Sequence, residues 1–254
     1  VIGEFLYKST ALGWSRTQPT VYGDTVYVAG NRGLYAVNKA DGTLRWSHSR
    51  NGDDHYAISP IVFQGGDLVL VSLQKLRALY THLAEAKNAS HVAGTEKWVY
   101  EYTHLADGLQ PRSGIPSSDG NTLYVSGSEG SYTRKVLAIN ANAAANAAPG
   151  DIRKWKYDTG QTGNSINSGP QVIEDNTGNY VFTKQKYTGQ IAKLNAGDGS
   201  PAWTSPEEDL DTGCHLAEMN DAGVQKAHMS LSADGSVLFV ACGKSRLKAY
   251  DASN

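Results

Sequence analysis

Five stretches of this 254-residue chain read alike, and internal repetition restricts a fold more than any other sequence feature. Leu34-Tyr35-Ala36-Val37-Asn38 is followed by Gly42 and Trp46. Arg77-Ala78-Leu79-Tyr80-Thr81 leads to Gly94 and Trp98, and Val136-Leu137-Ala138-Ile139-Asn140 to Gly150 and Trp155. Ile191-Ala192-Lys193-Leu194-Asn195 leads to Gly199 and Trp203, while Leu247-Lys248-Ala249-Tyr250-Asp251 opens a fifth unit that carries neither Gly nor Trp after it. Upstream of each lies a second matching pair: a short strand beginning near Pro19, Pro60, Pro116, Pro170 or Ser230, then a turn (Gly23-Asp24, Gly65-Gly66-Asp67, Asp119-Gly120, Gly178-Asn179, Asp234-Gly235), then an apolar strand such as Val26-Tyr27-Val28 or Leu68–Val71. Each unit therefore reads as four short strands, A to D, with the tryptophan on D. One such unit buries too little apolar surface to stand alone, whereas face-to-face packing covers both faces of each sheet. The expected fold class is all-β: a β-propeller of five four-stranded blades.

The units run roughly over 17-48, 57-101, 113-157, 168-204 and 228-254, in one domain spanning 1-254. The last unit lacks its D strand, and Trp14 precedes the first A strand; residues 11-16 are expected to complete the fifth blade and close the ring, the alternative being that these units are part of a larger ring. The connections from C to D in units two and three are longer. His82–Ala93 reads as one helical turn, and Ala141–Pro149, rich in Ala and Asn, as a low-complexity surface loop.

The pattern Leu-x-Ala-Φ-Asn/Asp … Gly-x-x-x-Trp, with Φ apolar, resembles the PQQ-like (quinoprotein) propeller repeat, which also occurs in bacterial outer-membrane assembly scaffolds. The resemblance covers essentially the whole chain and implies the fold. It carries little about function, because most proteins with this repeat bind no quinone. The chain is also much shorter than the eight-bladed quinone enzymes and has no vicinal cysteine pair to lie against the quinone, which argues against PQQ.

Composition narrows the partners. Lys and Arg number 23 against 25 Asp and Glu, a net charge of −2, which argues against nucleic acid. No apolar run is long enough to span a bilayer. The sequence starts at Val1 with no basic-then-apolar leader, so either a leader was removed or this is a piece of something longer. Few charges, many polar residues and the acceptor triplet Asn88-Ala89-Ser90 lean towards a secreted or extracytoplasmic protein with a glycosylation site at Asn88. Cys214 and Cys242 allow one disulfide, at the long acidic loop of the fifth unit.

Binding residues of a propeller are expected on the face built from the D–A and B–C loops. The B–C loops bring a cation from every unit: Arg32, Arg77, Arg134, Lys184, and Lys244 with Arg246. Such a ring suits a carboxylate, a phosphate or an acidic partner, although Lys and Arg also simply solvate turns. The D–A loops add Asp54, His55, His104, His215 and His228. Asp209-x-Asp211 is loosely like a calcium loop without the full ligand pattern. No cofactor is expected, with calcium as the one metal for which a loop is offered. Nucleophile-elbow, phosphate-loop and zinc-protease motifs are absent, and no spacing singles out a carboxylate pair. The reading is a non-catalytic binding or scaffold module that recognises a protein or a glycan, in the second case as a lectin. Its alternatives are an enzyme with its site on the same face, a hydrolase or a quinone- or metal-dependent oxidoreductase, and a self-assembling subunit of an extracellular structure.

Overall fold

The structure, a computed structural model, describes residues 17–30, 33–49, 59–72, 75–100, 113–129, 133–158, 171–184, 191–204, 229–242 and 246–253. These residues form five antiparallel sheets, each a simple meander. The first sheet holds β1 (Thr20–Tyr22), β2 (Thr25–Gly30), β3 (Gly33–Asn38) and β4 (Leu44–Ser49). The second holds β5 (Ile61–Phe63), β6 (Leu68–Ser72), β7 (Leu76–Tyr80) and β8 (Glu96–Tyr100). Between β7 and β8 lies the helix α1 (His82–Lys87). The third sheet comprises β9 (Ser113–Pro116), β10 (Thr122–Glu129), β11 (Thr133–Asn140) and β12 (Arg153–Asp158), with α2 (Pro149–Ile152) before β12. The fourth comprises β13 (Gln171–Glu174), β14 (Tyr180–Lys184), β15 (Ile191–Asn195) and β16 (Pro201–Thr204). The fifth has three strands among the described residues: β17 (Met229–Leu231), β18 (Val237–Cys242) and β19 (Arg246–Asp251). The expected closing segment, 11-16 with Trp14, lies outside the described residues.

The strand pattern follows the sequence reading with one shift. The third A strand ends at Pro116 rather than starting there, because Ser117 opens the turn: its hydroxyl donates to Asp119 at 2.5 Å and accepts from the Thr122 amide at 2.9 Å. The chain divides into two compact units, Val1–Thr103 with Ala141–Ile152, and His104–Asn140 with Arg153–Asn254.

One packing pattern is complete in the first and third sheets, with Leu70 replacing the aromatic in the second and Lys193 the alanine in the fourth. On the B, C and D strands of a sheet, an aromatic, an alanine and a tryptophan share one face: Tyr27 is paired with Ala36 and Ala36 with Trp46. Tyr124, Ala138 and Trp155 repeat this. That face packs on the opposite face of the following sheet. Tyr27, Leu34, Ala36 and Trp46 meet Val69, Val71 and Leu79. Tyr124, Val136, Ala138 and Trp155 meet Val172, Val181, Ala192 and Leu194. Phe182, Ile191 and Trp203 meet Leu238, Val240 and Tyr250. The B-strand ring tilts against the tryptophan at about 6 Å in all three cases: 6.0, 5.9 and 6.1 Å.

The repeated glycine has a matching cause. Gly94 and Gly199 have φ of +82° and +74°, which glycine adopts without strain. A methyl group on Gly199 would lie 2.5 Å from the Trp155 ring of the preceding sheet, and one on Gly94 would lie 3.1 Å from Trp46. The glycine thus serves both the turn and the seat of the neighbouring indole.

The alanine-rich insert is more than the surface loop expected. Ala141, Ala143 and Ile152 are buried. The Gln64 amide group donates to Ala141 O at 2.5 Å and to Asn142 Oδ1 at 2.7 Å, and the Asn146 amide donates to Lys97 O on the outer strand β8. The insert therefore covers an edge that would otherwise offer free backbone groups. The helical turn expected at His82 is present as α1, capped by the Thr81 hydroxyl accepting from the Leu83 amide at 3.2 Å.

Candidate interaction surface

The sequence places its ligand residues on the D–A and B–C loops, and most of them lie outside the described residues: Arg32, Asp54, His55, His104, Asp209, Asp211, Cys214, His215, His228 and Lys244. Arg134, Lys184, Cys242 and Arg246 stand at or near the loop-side ends of β11, β14, β18 and β19. Arg77 is the predicted ligand residue whose side chain is described, and it is buried: its Nε donates to Glu96 Oε1 at 2.7 Å. His48 of the first sheet joins it, with Nε2 at 3.5 Å from the same carboxylate oxygen and Nδ1 3.0 Å from Gly94 O. In that bond the imidazole is the donor, so Nδ1 carries the proton. This cluster fastens two sheets together. Lys135 of β11 is likewise buried and paired with Asp158.

The opposite rim, made of A–B turns and C–D connections, carries a feature absent from the sequence reading. Each outer strand has a β-bulge that inserts one residue just before the tryptophan, so that Ala36 faces Trp46 while Val37 faces Leu44. The inserted residues are Arg45, Lys97, Lys154 and Ala202. Arg45 reaches Asp24 Oδ2 at 2.6 Å, and His82 Nε2 stands 3.6 Å from Asp24 Oδ1. The Asp24 carboxyl is held below its usual range, first by the Thr25 hydroxyl and then by the Arg45 and His82 charges. Burial lowers the affinity of the His82 imidazole for a proton, reinforced by Arg45 and opposed by Asp24. Lys154 Nζ donates to Thr122 Oγ1 at 2.6 Å, and burial also holds Lys97 below the ordinary lysine value. The signal was legible: a basic residue stands directly before three of these four tryptophans. Asn88 is exposed at the end of α1, its carboxamide oxygen accepting from the Ser90 amide at 3.0 Å and hydroxyl at 2.8 Å.

Two sheets carry exposed apolar side chains among the described residues. The apolar face of the fifth sheet exposes Phe239 (37%), Leu247 (69%) and Ala249. The residues in register with Phe239, namely Tyr27, Leu70, Tyr124 and Phe182, are 0–2% exposed (0, 0, 2 and 0%). Those in register with Leu247, namely Leu34, Leu76, Val136 and Ile191, are each 0% exposed. On the first sheet the exposed apolar side chains are on the other face, at whose centre Val37 is buried. Val21 is 56% and Leu44 55% exposed, and Val26 and Val28 are half-buried where Val69, Val71, Leu238 and Val240 are buried. Among the described residues no three or more His, Cys, Asp or Glu side chains gather as a metal site, and no helix is long and apolar enough to cross a membrane.

Repeated meander sheets, with Trp46 and Trp155 seated on Gly94 and Gly199 of the following sheets, define a PQQ-like β-propeller protein. The chain belongs to the family whose sequence profile is described as outer membrane protein assembly factor BamB, matched over residues 2–193. Among solved structures it is similar to BamB from Moraxella catarrhalis, with a TM-score of 0.57 and 16% identity over 93% of this chain and 61% of that one. It is also similar to a protein from Lactobacillus plantarum, with a TM-score of 0.58 and 16% identity over 90% of this chain and 64% of that one. The chain spans less than two thirds of either neighbour, and at such identity the likeness is one of fold. A comparison with curated proteins gave no match.

Proposed function

We propose that this protein is a non-catalytic scaffold that holds another protein in an extracytoplasmic assembly. The observation that carries this reading is the family match over residues 2–193, to a family described as an outer membrane assembly factor. The described chemistry supports it. Arg77, Lys135 and His48 are occupied in joining strands and sheets, whereas the exposed side chains available for recognition include large apolar ones, Val21, Leu44, Phe239 and Leu247. Exposed apolar groups on rigid sheets suit a protein surface better than a small polar substrate.

The test is in-cell crosslinking followed by purification of the intact complex and mass spectrometry. The expected result is one partner protein recovered in fixed ratio, with no metal or quinone retained. A purified chain that retains calcium at the Asp209–Asp211 loop or PQQ, and turns over a substrate, would overturn it. Recovery of a glycan ligand in place of a protein would do the same.

A further inference from the structure

One turn recurs between the strands, built from an acid and a hydroxyl residue two positions on. At Asp41, Asp198 and Asp234, Oδ1 accepts from the backbone amide of Thr43, Ser200 and Ser236 at 2.9, 2.9 and 3.1 Å, and from the hydroxyl of the same residue at 2.7, 2.7 and 2.9 Å. Asn88 and Ser90 repeat the turn with an amide in place of the acid: Oδ1 accepts from the Ser90 amide at 3.0 Å and from its hydroxyl at 2.8 Å. The turn needs one side-chain oxygen, which either residue type supplies. The Asn88 Nδ2 group is therefore surplus to the fold, and it makes no hydrogen bond among the described residues.

We infer that Asn88 is a glycan attachment site, where Nδ2 takes an oligosaccharide from a lipid-linked pyrophosphate donor. Asn88-Ala89-Ser90 is the one Asn-x-Ser/Thr triplet in the chain. Every residue from Glu85 to Ser90 is exposed, which leaves room for a bulky group. The backbone on both sides is anchored: the Asn88 amide donates to Ala84 O at 2.9 Å and the His91 amide to Asn88 O at 2.8 Å. The His91 ring stacks on Tyr80 with centroids 4.3 Å apart. The carboxamide thus stands on a fixed turn, its oxygen held by the hydroxyl that the acceptor triplet supplies and its nitrogen free. In the transfer, a bond forms between Nδ2 and the anomeric carbon, and the bond from that carbon to the pyrophosphate oxygen breaks. One amide proton goes to a base of the transferase, and the lipid pyrophosphate leaves. The inference rests on the extracytoplasmic placement in the scaffold reading, since such donors present their sugars on that side of a membrane.

The experiment is peptide mapping by mass spectrometry of the full chain isolated from its source, before and after peptide N-glycosidase in heavy-oxygen water, with cell fractionation alongside. The peptide carrying Asn88 is expected to hold a chain of hexoses and N-acetylhexosamines, and the glycosidase to leave a heavy-oxygen carboxyl at position 88. Asn88→Asp keeps the turn's oxygen, so it is expected to lose the glycan while matching the thermal midpoint of the deglycosylated wild type. Ser90→Ala is expected to lose the glycan too, and Ser90→Thr, which keeps the hydroxyl, to retain it. A bare Asn88 in a chain that fractionation places outside the cytoplasm overturns this inference and leaves the scaffold reading standing. A chain confined to the cytoplasm overturns the extracytoplasmic placement and the glycan with it. A glycan that persists in Asn88→Asp is attached elsewhere and also overturns the assignment.

Discussion

The fourth and fifth sheets carry the same signature with opposite outcomes. In the fourth, Phe182 pairs with Lys193, Lys193 with Trp203, and the phenylalanine is fully buried. In the fifth, Phe239 pairs with Ala249, and more than a third of its side-chain-bearing surface stays open to water. The residue type is identical and the strand geometry equivalent. What differs is the sheet that follows: Leu238 and Val240 cover Phe182, and nothing among the described residues plays that part for Phe239. Lys193 shows how closely the covered case is fitted. Its ammonium lies 4.3 Å from the Tyr180 ring centroid and donates to Ala252 O of the fifth sheet at 2.7 Å.

The sharpest test of that contrast is a pair of truncations. Phe182→Ala is expected to cost about 3–5 kcal/mol and Phe239→Ala less than about 1 kcal/mol, read from chemical denaturation midpoints at unchanged slope. Equal losses would mean that Phe239 is covered in solution. A second pair separates turn conformation from packing. Gly199→Ala meets both a positive φ and the Trp155 ring, and is expected to cost about 2–4 kcal/mol. Gly235→Ala has nearly the same φ, +75°, but its nearest neighbours are the Asn176 side chain at 3.1–3.4 Å; about 1 kcal/mol is expected. Gln64→Ala removes two hydrogen bonds to the insert and is expected to cost about 1 kcal/mol, with faster amide exchange at Asn146.

The smallest effect is electrostatic. Asp119 is held down to about 2, first by the Ser117 hydroxyl and then by the Asn121 amide, and Asp234 to about 2 by the Ser232 hydroxyl and the Ser236 amide. A carboxyl whose value is lower in the folded than in the unfolded chain stabilises above the unfolded value. That contribution is complete above about pH 4 and is lost as the pH falls towards 2. The double variant Asp119→Ala, Asp234→Ala is therefore expected to flatten the acid limb of the stability profile between those limits while leaving the neutral limb nearly parallel.

The repeat was legible because it is local in sequence. Alternating apolar residues and turn glycines recur in each unit, and strands of this kind pair with their nearest neighbours. The tryptophans and the glycines before them were equally visible, although their relation was not: Gly199 belongs to the turn on which Trp155 of the preceding sheet rests. The predicted cation ring fared differently. Arg77 looked like a loop cation, yet Glu96, brought beside it by the pairing of β7 and β8, takes its guanidinium into the sheet. The role of the alanine-rich insert was hidden for the same reason, since Gln64 and Asn142 lie far apart in the sequence. The basic residue before each of three tryptophans was readable, but its placement depends on a bulge that only strand pairing reveals.

By itself, the sequence determined the strand period, the turns, the five-unit repeat and the family, because these rest on residue-by-residue conformational preference and short-range pairing. Only the tertiary structure decided which of the repeated faces are covered. Burial belongs to a pair of surfaces, so Phe182 and Phe239, alike in the chain, differ because among the described residues one has a neighbouring sheet against it and the other does not.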